Sequence, residues 1–316
     1  MKKFINLGKV LTLSLGLGLA LFTTSCKEDE VVVTPPAATD ITAVAIKDAQ
    51  FSTLVAALTK AELVTTLAGT GPFTVFAPNN AAFTKAGITS LDNLTKAALT
   101  PILTTHVLSG TVKAADVKSG SAKTVNAGND IYLSKNADGV FINGSIKVIA
   151  TDVSASNGVI HVIDNVIVPP SKSLVEIAAG NADFKELVDL VTAADPAVAK
   201  ALSDASATGL TVFAPTNAAF TELYKTLPKA ELLKAANKAT LTGVLLYHVV
   251  PSRVFSTDLP NVSGMVGTAN TAGKLSFSLS GGAKVIGTKS GNSNITATNI
   301  LATNGVIHVI DKVLLP

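Results

Sequence analysis

Apolar residues are distributed along this chain in three different ways, and each predicts a different kind of element. Near the start, Val10–Phe22 is an apolar run of thirteen residues, preceded by Lys2, Lys3 and Lys9. A bilayer span needs roughly 20 residues. A basic start followed by a run this short predicts a secretory signal peptide over residues 1–25. Val31–Asp40 holds Pro35-Pro36 among small residues and predicts an extended tether. Further on, helical spacing predicts a helix over Thr53–Leu67, with Ser52 as cap and Leu54, Leu58 and Leu67 toward the core. A second helix is predicted over Phe184–Val191, with Asp183 as cap. Later segments alternate, as in Leu275-Ser276-Phe277-Ser278-Leu279, and predict antiparallel strands. Val306–Leu315 is apolar at both parities and predicts a central strand covered on both faces.

These patterns occur twice. Thr74-Val75-Phe76-Ala77-Pro78-Asn79-Asn80-Ala81-Ala82-Phe83 returns as Thr211-Val212-Phe213-Ala214-Pro215-Thr216-Asn217-Ala218-Ala219-Phe220. His106-Val107 returns as His248-Val249, and Asn157 to Asp164 returns as Asn304 to Asp311. The three lags are 137, 142 and 147 residues, so the second copy carries small insertions. A period this long marks duplication of a whole domain, not a solenoid. Pro169-Pro170-Ser171 divides the copies, placing them at residues 39–170 and 171–316.

Within each copy, Thr211–Phe213 and its counterpart predict a short strand halted by proline. Thr216 or Asn217 (Asn79 or Asn80 in the first copy) can cap the helix that follows, and Phe220 or Phe83 packs that helix onto the sheet. Pro101 and Gly243, each five residues before a His-Val pair, predict that short helices begin after them, at Ile102–Thr105 and Val244–Tyr247. Asn-Gly is a turn signal before the last strand. Both copies are expected to end in an apolar strand closed by proline, Val166–Pro169 and Val313–Pro316. Helices gather in the first half of each copy and strands in the second, which is α+β segregation.

Composition narrows the function. Hydrophobic residues make up 47% of the 316 and charged residues 15%, enough to build real cores. Removing the three leader lysines from 25 basic residues leaves 22 against 22 acidic ones, a neutral mature chain. Arg253 is the sole arginine, so a nucleic-acid partner is set aside. Cys26 is the sole cysteine, which excludes an intramolecular disulfide and a cysteine-rich metal site.

Two resemblances follow. The apolar run, the small residues Thr23-Thr24-Ser25 and Cys26 resemble a bacterial lipobox, which implies cleavage before Cys26 and a diacylglycerol on its sulfur. Thr23 stands where such signals usually have Leu. Lys27-Glu28-Asp29-Glu30 resembles the export tag of some Gram-negative surface lipoproteins, so residues 26–38 read as a lipid-anchored linker and the protein as a surface-exposed outer-membrane lipoprotein. The blocks around Thr211, Tyr247-His248 and Gly305–Leu314, with their first-copy counterparts, are similar to the fasciclin (FAS1) signature. That resemblance implies two tandem domains, each a wedge-like β-sandwich flanked by short helices. It also implies extracellular adhesion: binding of matrix, surface protein or polysaccharide. The family's Tyr-His pair, linked to cell adhesion in animal members, is matched by Tyr247-His248, whereas the first copy has Thr105-His106.

The candidate chemistry is sparse. His106, His161, His248 and His308 are the four histidines, all at matched positions. They read either as a metal or acid–base site or as framework residues bonded to backbone, and the duplication favours the second. His161 and Asp164, three apart on a strand, point to opposite faces. Asp164 and Asp311 end apolar runs, where a carboxylate bonds backbone N–H groups. No phosphate-loop, zinc-helix, nucleophile-elbow or calcium-loop motif is present. No catalytic, cofactor or metal residue is therefore assigned, and the chain reads as a non-enzymatic adhesion module. A carbohydrate-binding accessory protein of a surface uptake system stands as the alternative, which an aromatic platform would favour. A surface hydrolase stands behind it, which a carboxylate pair in a cleft would favour.

Overall fold

The computed structural model describes residues 39–203, 208–262 and 264–316. The predicted signal peptide, Cys26 and nearly all of the predicted tether lie outside them. The first copy runs α1 (Ile41–Lys47), α2 (Ser52–Lys60), α3 (Val64–Leu67), β1 (Phe73–Pro78), α4 (Asn80–Lys85), α5 (Lys96–Thr105), β2 (Val107–Ser109), β3 (Gly120–Ala122), β4 (Ile131–Asn136), β5 (Gly139–Ile142), β6 (Ile146–Ala155) and β7 (Gly158–Ile163). The second repeats the plan: α6 (Leu174–Ala179), α7 (Lys185–Ala193), α8 (Pro196–Ser203), β8 (Leu210–Pro215), α9 (Asn217–Tyr224), α10 (Lys229–Leu232), α11 (Lys238–Tyr247), β9 (Val249–Val250), β10 (Val266–Gly267), β11 (Lys274–Ser278), β12 (Lys284–Gly287), β13 (Gly291–Ala302) and β14 (Gly305–Ile310).

Among the described residues each copy holds one mixed sheet, ordered β2-β1-β7-β6-β5-β4-β3 and β10-β11-β12-β13-β14-β8-β9. The block with Thr-Val-Phe-Ala-Pro and the final strand are neighbours and run parallel, Phe76 opposite His161 and Phe213 opposite His308. All other strand pairs in the sheets are antiparallel. This central pairing explains why the last strand is apolar at both parities. Ile160 and Val162 of β7 face the helices, together with Val75 and Ala77 of β1. Ile163 and Phe76 face a second core with Ile131, Leu133, Val140 and Ile142 from the far end of the same sheet. Strands at opposite ends can share one core only if the sheet folds over on itself. A bridge between Leu108 and Thr124 closes that fold.

The structure corrects several local expectations. The helix over Thr53–Leu67 is broken after Lys60, where Glu62 takes φ 58°, and resumes as α3. Ser52 does not cap it. The cap comes from another element: Asn80 Oδ1 accepts from Thr53 N–H at 3.0 Å, while Asn79 caps α4. In the second copy Thr216 caps α9, and Asn217 Oδ1 accepts from Glu186 N–H at 2.9 Å. Asp183 likewise is no cap; it lies in a 3₁₀ turn over Ala182–Phe184. Pro101 and Gly243 do not start helices but sit inside α5 and α11. Pro101 removes the N–H that would reach Ala97, and Ala97 is exposed, so its carbonyl can turn to water. The terminal segments Val166–Pro169 and Val313–Pro316 are not strands, although Val166, Ile167, Val313 and Leu314 are buried.

The Asn-Gly pair does more than turn the chain. A Cβ on Gly158 would stand 2.0 Å from the Phe73 carbonyl oxygen, so only glycine lets the parallel strands approach there. The buried Asn157 side chain accepts from Ile41 N–H and donates to the Leu67 and Gly69 carbonyls, tying both ends of the helical layer to the sheet. Asn304 repeats this with Leu174 and Leu202.

Candidate functional site

Tyr247 and His248 close α11. Both are buried, Tyr247 entirely and His248 to 2% exposure, so neither side chain meets solvent. The Tyr247 hydroxyl donates to the Lys274 carbonyl at 2.7 Å and accepts from Thr288 N–H at 3.0 Å, which holds α11 to β11 and to the turn after β12. His248 Nδ1–H donates to the Val244 carbonyl at 2.8 Å, and Nε2 accepts from Leu314 N–H at 2.9 Å. His106 does the same with Ile102 and Ile167, at 2.8 and 2.9 Å. Each ring therefore clamps the terminal apolar segment of its copy onto the helix before the His-Val pair. Burial pushes both imidazoles down to about 4, against a weaker opposing effect of the carbonyl each donates to. A charged ring would also turn a second N–H toward a backbone N–H. In the first copy Thr105 stands for the tyrosine. Its hydroxyl donates to the Pro101 carbonyl at 2.6 Å and accepts from Asn126 at 2.8 Å, so the edge is held locally.

His161 and His308 occupy the strand-enclosed core and stack on Phe76 and Phe213, centroids 5.5 Å apart in both copies. Their Nε2–H groups donate to the Val112 and Val254 carbonyls, each at 2.8 Å. Asp164 Oδ1 accepts from Lys147 N–H at 2.8 Å and Oδ2 pairs with Lys85 at 2.7 Å; Asp311 accepts from Asn294 N–H at 2.7 Å. These two carboxylates thus bond the backbone of the neighbouring strand, as their position at the end of an apolar run predicts. Among the described residues, no three His, Cys, Asp or Glu side chains converge on one point.

A set of residues that the sequence did not mark as a site joins the two copies. Arg253 donates through Nη1 to the Ala302 and Gly305 carbonyls at 3.2 and 3.1 Å, and through Nη2 to the Thr303 carbonyl at 2.8 Å. Its guanidinium lies 4.8 Å from the ring centroid of Tyr132, in β4 of the first copy. The Tyr132 ring also meets Phe255 at 5.6 Å. Asn299 Nδ2 donates to the Gly144 carbonyl at 2.8 Å, and Asn136 Nδ2 to the Thr257 carbonyl at 3.2 Å. Gly144 has φ +70°, and a Cβ there would lie 2.5 Å from Phe255 Cβ. The matched position explains the asymmetry. Asn299 corresponds to Asp152, and each accepts a backbone N–H of its own copy, from Ser256 and Ala114. Only the amide has an N–H to give across the joint. Two signals in the sequence could have found this site: a single arginine in the chain, and a carboxylate exchanged for an amide between copies.

A family model described as the fasciclin domain matches residues 49–169 and again 182–316. Protein sll1483 of Synechocystis sp. is 43% identical over 167 residues, covering 49% of this chain and 92% of that protein. The transforming growth factor-beta-induced protein ig-h3 of Sus scrofa is 34% identical over 204 residues, covering 63% of this chain and 29% of that protein. Stabilin-2 of Rattus norvegicus is 31% identical over 212 residues, covering 61% and 14%. The chain thus spans less than a third of either animal relative. A solved FAS1 domain pair from the insect cell adhesion molecule fasciclin I aligns over 87% of this chain and 96% of its own, at 19% identity and a TM-score of 0.43. The motif blocks that recur in order, the same sheet built twice around them, and a family model that accounts for most of the sequence show that this chain belongs to the fasciclin domain family, with two copies in tandem.

Proposed function

We propose that the chain is a cell-surface adhesion module, held to the membrane by a lipid on Cys26, that binds an extracellular protein. The observation that carries this reading is the tandem pair of fasciclin domains, a domain that occurs in a protein described as a cell adhesion molecule. The copies meet through Tyr132, Gly144, Arg253 and Phe255, so a repetitive ligand engaged by one copy meets the other as an intramolecular contact. The Tyr247-His248 pair contributes by holding the second copy in shape, since both side chains are buried.

A protein ligand is favoured over a polysaccharide by the tyrosines. The chain has no tryptophan and three tyrosines. Tyr132 lies in the joint, Tyr224 donates to Glu186 at 2.8 Å, and Tyr247 is buried. Two of the three are thus covered, and no two tyrosines are left to form a flat stacking platform. Residues 39–316 presented to an array of matrix proteins and glycans should bind within the protein panel; a flat response across both panels overturns the adhesion reading. Metabolic labelling with radioactive palmitate tests the anchor, and label retained after Cys26→Ala overturns it. Protease shaving of intact cells tests surface display, and full protection of the chain overturns that assignment.

A further inference from the structure

Beneath α6, α7 and α8 the second copy forms a pocket of about 380 Å³ that opens to solvent on one side. The matched space in the first copy, under α1 and α2, is about 20 Å³. The sequence accounts for the difference. Phe51 and Val75 are 24 positions apart, whereas their counterparts Phe184 and Val212 are 28 apart. With these extra residues the second copy builds the eight-residue α8 where the first has the four-residue α3. In addition, Leu58 on the inner face of α2 is matched by the smaller Val191 on α7.

The walls are mostly aliphatic: Val175 and Ala178 from α6, Val191 from α7, Ala199 and Leu202 from α8, with Ile307 of β14 as floor; the Thr192 hydroxyl at the wall is bonded to the Val188 carbonyl. His248 also touches the space, but both its ring nitrogens are already bonded to backbone. A wall with so few free polar groups cannot hold ordered water, and apolar cavities less than half this size stay dry and take apolar guests. The pocket's size falls within the range of small-molecule sites. Solvent reaches it from the side of Val175, which is 39% exposed, and Ala199, which is also exposed.

We propose that this cavity is a binding site for a single aliphatic chain, carried by a fatty acid or a single-tailed lipid, with the polar head outside near Val175 and Ala199. The site is confined to the second copy. It goes beyond the adhesion reading and does not depend on it.

The test is displacement of a dansyl-labelled fatty acid from the full chain. One saturable site is expected, competed by palmitate, by lysophosphatidylcholine, or by both; the pattern separates a free acid from a membrane-derived lipid as the source. Ala178→Phe and Ala199→Phe each put a ring into the cavity and should weaken binding by about tenfold or more, since each methylene kept out of the pocket loses its transfer energy. Val191→Leu restores the first copy's side chain and should weaken binding by less, which keeps the test usable if a larger substitution prevents folding. Absence of saturable binding, or undiminished binding by variants whose circular dichroism and melting remain those of a folded protein, overturns the proposal.

Discussion

Acid should unfold this protein through its buried histidines, and the second copy should go first. His106 and His248 are held neutral by burial, with folded values of about 4 against an ordinary 6.5. The folded value lies below the unfolded one, so the unfolded chain takes up protons first as pH falls. The stability is fully present above 6.5 and is lost as pH falls through about 4. Each ring accounts for roughly 3 kcal/mol in total, most of it already lost at about pH 4.5, against a typical domain stability of about 5–15 kcal/mol. His308 is shifted down as well, again by burial, and adds to the second copy's loss. The carboxylates shifted by structure, Asp40, Glu176, Glu186 and Asp189, are all lowered, so their contribution is lost below the ordinary carboxylate range. The interval from about pH 6.5 to about 4.5 therefore belongs to histidine. Urea unfolding followed by circular dichroism across this interval should show falling midpoints, steeper for the second copy. His248→Gln keeps an acceptor for Leu314 N–H and a donor for the Val244 carbonyl but does not titrate. It should remove roughly 2–3 kcal/mol of the pH dependence while lowering stability at neutral pH. Constant stability across the interval, or a glutamine variant that keeps the full dependence, would refute the assignment of these rings as neutral clamps.

Other substitutions separate the joint from the two cores. Gly144→Val should part the copies, because the left-handed backbone costs about 1–2 kcal/mol and the new Cβ meets Phe255; small-angle scattering should show a larger radius of gyration with unchanged circular dichroism. Tyr132→Ala combined with Arg253→Lys in a double-mutant cycle should give a coupling of about 0.5–2 kcal/mol by denaturant unfolding, and zero coupling would mean the ring and guanidinium do not hold the copies together. Asn157→Ala leaves Ile41 N–H and the Leu67 and Gly69 carbonyls without their partner, and calorimetry should show a loss of about 3 kcal/mol or more confined to the first copy. Pro101→Ala should stabilise α5 by about 1–3 kcal/mol, read as a raised melting temperature, because it restores the bond to Ala97.

What can be read from one strand or one turn was legible in the sequence. The duplicated blocks defined two copies of one domain. The two-sided apolarity of Val306–Leu315 marked a strand buried in the middle of a sheet, although the strand itself stops at Ile310, and the proline after Thr211–Phe213 marked its neighbour's end. Periodicity and turn chemistry act over a few residues, so a single sequence carries them in full. The matched histidines also pointed to a framework role, since duplication preserves whatever holds a domain together. Only tertiary structure decided who the partners were. Asn80 and Asn217 lie beside residues that cap their own helices, yet they cap helices about thirty residues earlier, because α2 and α7 pack where those amides point. Pro101 and Gly243 looked like boundaries but lie inside helices whose packing outweighs local propensity. Tyr247 could be matched to a motif, but its burial depends on strands up to forty residues away. The joint at Arg253 and the cavity under α8 exist only because distant segments are folded against one another: hydrogen bonds and close packing across space leave no periodic trace along the chain.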